Sequence, residues 1–119
     1  MDKTKLGPVE GRFADLIWET APTTTAALIA LAQERLGWKR TTTYTVLKRL
    51  CEGGLFALER GAVTVLLSRE EFYERQSREY VESAFDGSLP AFVAAFSRSR
   101  KLRAEEIEAL QKLIDESRR

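Results

Sequence analysis

The apolar residues of this chain change period twice between Cys51 and Phe72, and few folds accommodate that. Up to Gly53-Gly54 they recur at helical spacing. Across Phe56, Leu58, Val63, Val65 and Leu67 they alternate about the turn-like Glu59-Arg60-Gly61-Ala62, and from Arg69 they return to helical spacing. Alternation of period two about a short glycine-containing turn predicts a β-hairpin set between helical regions.

What precedes the hairpin reads as three helices. Val9, Phe13, Leu16 and Ile17 form the apolar stripe of the first, which Ala21-Pro22 interrupts because the residue before proline is biased away from helix. The second follows threonines able to cap it, runs through Leu28, Leu31 and Ala32, and stops at Gly37. In the third, at about 100° per residue from Thr41, one face collects Thr43, Val46, Leu47, Leu50 and Cys51. The opposite face collects Thr41, Thr42, Thr45, Lys48 and Arg49. Three helices and a hairpin make a winged helix, the helix-turn-helix variant whose third helix enters the DNA major groove. The expected class is therefore mainly α, a winged helix-turn-helix over 1–68 followed by a helical region over 69–119.

That second region carries Phe72, Tyr73, Tyr80, Val81, Ala84 and Phe85, then a break at Asp86-Gly87-Ser88, then Leu89-Pro90, where Ser88 can cap and Pro90 is tolerated in a first turn. A last helix has Glu105 and Glu106 in its first turn and Arg118 and Arg119 at its end, which suits the helix dipole. Three short helices this rich in apolar residues can hardly form an isolated core, whereas a second copy would bury them, so a homodimer is expected.

Charge narrows the search for a binding surface. Lys and Arg number 19 against 18 Asp and Glu, a net charge of +1, so a polyanion must be met locally. Lys39, Arg40, Lys48 and Arg49 are the local cluster, with no acid between them before Glu52. The expected contacts are Thr41, Thr42 and Thr45 to base edges, and Lys39, Arg40 and Lys48 to phosphates. Arg49 is equally able to hold phosphate or to pair with an acid of the first helix or of the tail. Trp38 and Tyr44 invite stacking, but stacking platforms serve mainly single strands and lone aromatics at helix edges commonly pack; Tyr44 stays among the candidate contacts. Arg60 at the hairpin tip is another, weakened by Glu59 beside it. The tract Ser97-Arg98-Ser99-Arg100-Lys101 reads as a solvated link between helices.

Other classes are poorly supplied. There is no histidine and only Cys51, so the usual zinc, haem and triad sites lack their residues, and no cofactor is expected. Neither a nucleotide loop nor a nucleophile elbow appears, and Glu105 and Glu106, being adjacent, point in different directions on a helix; no enzyme is expected. The charged N-terminus, with no apolar run after it, predicts neither a signal peptide nor membrane insertion, and a cytoplasmic location.

The stretches TTTYTVLKRLCEGG, REYVESAFDGSLPAFVAAF and KLRAEEIEALQKLID, in that order, resemble the penicillinase-repressor family of bacterial transcriptional regulators over nearly the whole chain from about Val9. The resemblance implies repression through a palindromic double-stranded operator by a homodimer. It places Thr42, Thr45 and their neighbours in the recognition helix and Phe85, Leu89, Phe92, Val93, Phe96, Leu102, Ile107 and Leu110 in the dimer region, to which the apolar pattern adds Tyr80 and Ile114. Copper-responsive members end in a cysteine-rich motif that this chain, ending DESRR, lacks. Members induced by cleavage in the dimer region are cut by a membrane sensor protease between asparagine and phenylalanine, where this chain has Ala95-Phe96. The hairpin is less basic than the family's usual wing, which shifts phosphate contact onto the third helix. The competing reading is a winged-helix protein-interaction module with an incidental basic face.

Overall fold

A computed structural model of the chain describes residues 6–119. Among the described residues it is mainly helical, with six helices and one small sheet. Helix α1 spans Pro8–Thr20, strand β1 Thr23–Thr24, helix α2 Thr25–Leu36 and helix α3 Arg40–Glu52. Strands β2, Phe56–Glu59, and β3, Ala62–Val65, form the hairpin, followed by helices α4, Arg69–Ala84, α5, Leu89–Ser99, and α6, Ala104–Ser117. This is the winged helix-turn-helix with C-terminal helices that the period changes predict.

Local chemistry ends each element. Thr24 accepts the Ala27 N–H at 3.1 Å and so caps α2, while Gly37 takes the left-handed conformation, φ 68°, that closes it. The hairpin turn is Arg60-Gly61, both with positive φ, the two-residue connection whose twist suits a hairpin. Ser68 and Glu71 cap α4 reciprocally, Ser68 Oγ accepting the Glu71 N–H at 3.1 Å and the Glu71 carboxylate accepting the Ser68 N–H at 3.0 Å. The bond from the Ser68 N–H favours the charged form and, with the nearby Ser68 side chain, holds the Glu71 carboxyl below its ordinary pKa. Ser88 caps α5 from in front of Pro90, as expected.

The sheet corrects the reading of the threonine tract. Thr23 and Thr24 do more than cap: they pair antiparallel with Val63 and Ala62, making a three-stranded sheet of order β1-β3-β2. Two residues have no periodicity of their own, and the strand exists only through its partner. Two apolar assignments also shift. Val9 is half exposed in the first turn of α1 and Val65 is 41% exposed at the end of β3, while Ala14 is fully buried.

The chain divides into two compact units, one reaching to Ser77 and the other from Arg78. The first has a core of Phe13, Ile17, Leu28, Leu47, Leu50, Leu55, Phe56, Val63 and Phe72, each at most 3% exposed. Phe72, on the first turns of α4, belongs to that core. Trp18 packs its ring against Phe56 and Phe72 at 5.4 and 5.9 Å and donates its indole N–H to the Leu67 carbonyl. Burying these side chains contributes about 1.5–3 kcal/mol each, so this unit has the substance of an independent core. The second unit holds an aromatic cluster of Tyr80, Phe85 and Phe92 with centroids 5.5–6.0 Å apart, but no residue of α5 or α6 is buried.

Candidate nucleic-acid interface

Helix α3 is anchored by the face that the angular pattern selects. Leu47 and Leu50 are 1% exposed and Thr43 is fully buried, its hydroxyl donating to the Lys39 carbonyl at 3.1 Å, so the polar group on the buried side is satisfied within the helix. Val46 and Cys51 are half-buried on the same side, and burial raises the Cys51 thiol pKa, the state of an inert packing cysteine. Trp38 packs on Phe13, ring centroids 5.1 Å apart, as a packing aromatic rather than a stacking platform.

The opposite face is exposed and cationic. Lys39, Arg40, Thr41, Thr42, Tyr44, Thr45 and Lys48 all lie on the surface. The first turn of α3 has no acid and no side-chain cap, so its free N–H groups add the positive end of the helix dipole to Lys39 and Arg40. The Thr45 hydroxyl donates to the Thr41 carbonyl at 2.9 Å, which spends its proton and leaves the oxygen of this exposed residue as an acceptor. Among the described residues, Lys39, Arg40 and Lys48 make no ion pair. Arg49 does: its Nη2 donates to Glu10 Oε2 on α1, the intramolecular alternative left open by the sequence. The sequence allowed an acid of the first helix as this partner but did not single out Glu10, since no local pattern links residues this far apart. Arg60 at the wing tip is exposed in the left-handed conformation, φ 51°, beside exposed Glu59.

The second unit presents a different surface. Leu89, Phe96, Ile107, Leu113 and Ile114 are 42–59% exposed and Leu110 is 37% exposed. Phe92, Val93, Phe96, Leu102, Ala109 and Leu110, with Glu106, line an apolar cavity of about 340 Å³. The tract expected as a solvated link is more than that. Arg100 lies over the Phe96 ring, 4.9 Å from its centroid, and holds both Glu106 oxygens at 3.0 and 2.8 Å. The Arg103 backbone N–H and Nε add bonds to Glu106 of 2.8 and 3.2 Å. Together they hold its carboxyl far below the ordinary pKa, the Arg100 contact contributing most. Ala95 and Phe96 both lie inside α5. Among the described residues no helix is long and apolar enough to cross a membrane.

A buried-core winged helix whose third helix keeps an uncovered cationic and threonine-rich face is the architecture of a DNA-binding regulator. The sequence pattern of one protein family, described as penicillinase repressor, matches residues 6–116. The chain belongs to the penicillinase repressor family, and with it to the DNA-binding transcriptional repressors, a family of regulators rather than enzymes. No curated protein matches it.

Proposed function

We propose that the chain represses transcription by binding a palindromic operator as a homodimer, with α3 of each protomer in the major groove of one half-site. The observation that carries this reading is that one chain holds two uncovered surfaces of opposite character: the cationic face of α3, and helices α5 and α6 with no buried residue. Lys39, Arg40, Lys48 and Arg60 would neutralise phosphates and fix register, while Thr41, Thr42, Thr45 and Tyr44 would approach base edges. Tyr80, Phe85, Leu89, Phe92, Val93, Phe96, Leu102, Ile107, Leu110 and Ile114 would supply the dimer.

Release then follows loss of the dimer, because each half-site gives up the effective concentration its partner supplied. A cut at Ala95-Phe96 by a sensor protease would do this by parting α6 from the apolar face. Since the bond is helical, α5 must first open locally. Footprinting on the DNA upstream of the chain's own gene tests the reading. Protection of two half-sites about 10 base pairs apart, or a multiple of that, is expected, with two chains per complex. A single protected site with one chain bound would overturn it. Intact repressor in cells where the promoter is active would exclude proteolysis and leave ligand-triggered release.

A further inference from the structure

Of the four cations in and beside the polar sector of α3, one is treated differently. Lys39, Arg40 and Lys48 make no ion pair among the described residues, whereas Arg49 is bonded to Glu10 in the first turn of α1. By helical angle Arg49 lies beside Thr42 and Thr45, not with Leu47 and Leu50 on the buried side. The pair is only partly withdrawn from solvent: the Arg49 side chain is 35% exposed and that of Glu10 22%. A guanidinium carries five N–H donors in a planar fork, and the Glu10 bond engages one nitrogen of it.

We propose that Glu10 is a positioning residue for DNA binding, holding one edge of the Arg49 guanidinium so that the rest of the fork meets a backbone phosphate. The proposal rests on the operator-binding reading above. A long side chain loses rotamer freedom when it meets a phosphate, and a tethered Arg49 has already lost it on folding. Arginine suits this task because its rigid fork serves two acceptors at once, which the point charge of lysine does not. A tie that merely joined α1 to α3 would add little, since Leu47 and Leu50 already share a core with Phe13 and Ile17.

The test is the salt dependence of binding to a mixed-sequence DNA duplex long enough for two half-sites, with thermal melting of each variant in parallel. Arg49→Ala should flatten the log-log slope by about 0.9 for each protomer bound. Glu10→Ala should flatten it by a similar amount although Arg49 is still present, and the double variant should be no flatter than Arg49→Ala. Glu10→Gln, which keeps an oxygen acceptor, should recover most of the slope. Glu19→Ala removes the same charge elsewhere on α1 and is the reference for net charge. A Glu10→Ala slope as steep as wild type, with only the melting temperature lowered, would make the pair a structural tie and overturn the proposal. A steeper slope would mean that Glu10 withholds Arg49, and would overturn it too. If the wild type shows no salt-dependent binding, the operator-binding reading fails, a failure visible before any substitution is made.

Discussion

The indole N–H of Trp18 donates to the carbonyl of Leu67 at 2.9 Å, joining α1 to the segment that leaves the wing. Trp18→Phe keeps an aromatic ring beside Phe56 and Phe72, though a smaller one, and leaves the Leu67 carbonyl without its donor. A loss of about 1–3 kcal/mol is expected in denaturant unfolding, with the salt slope of DNA binding unchanged.

Lys48→Ala should weaken binding to all sequences alike and flatten the salt slope by about 0.9 per protomer. Thr45 should behave differently, because its proton is given to the Thr41 carbonyl and, on the proposed reading, its oxygen would accept from a base amino group. Thr45→Ala should lower operator-over-random discrimination by about tenfold, read by competition binding, while leaving the slope in place.

Arg60 occupies the left-handed region that costs an L-residue roughly 1–2 kcal/mol. Arg60→Asn should therefore raise stability by about 0.5–1 kcal/mol, since Asn-Gly is the favoured pair for this turn, and should lower DNA affinity at the same time. Opposite signs in melting and in binding are the signature that the arginine is kept for contact rather than for folding.

Ile114 is 51% exposed on α6, so Ile114→Asp should leave the fold of each protomer intact while placing an unpaired charge in the proposed dimer interface. Dimer stability should fall by about 3–5 kcal/mol, seen as monomer in sedimentation with unchanged helical circular dichroism. A folded, fully dimeric variant would place the interface elsewhere.

The Glu106 carboxyl, held down by Arg100 and Arg103, gives the stability of α5 and α6 a definite pH sign. A depressed folded-state pKa contributes stability above the unfolded value and loses it as pH falls through the folded one. Helicity of the wild type should therefore decline on acidification below the ordinary carboxylate range, and Glu106→Gln should be less helical at neutral pH but flatter on the acid side.

What could be read in advance was whatever the chain settles locally. Gly37, Ser88 and Arg60-Gly61 mark ends and turns through their own backbone preferences, and the buried side of α3 follows from angle alone. Distant pairing escaped. Thr23 and Thr24 become a strand only beside Val63 and Ala62. Four cations could be assigned to one helical region, but which of them is held by a carboxylate depends on Glu10, 39 residues away. Arg100 looked like a solvated link because its partner Glu106 belongs to the next helix and its ring contact, Phe96, to the previous one.

The carbonyl of Gly61, at the wing tip, accepts the N–H of Thr25, the first residue of α2, at 2.9 Å, and Thr24 pairs with Ala62 just beside it. The wing is thus bolted to the helix that precedes the recognition helix, and the distance from its tip to α3 is set by the fold as the gap of a caliper is set by its frame. A flexible flap would adjust to any duplex. If α3 and the wing grip DNA as proposed, a caliper would reject those whose grooves are too wide or too narrow, and DNA shape would join base identity in the choice of operator.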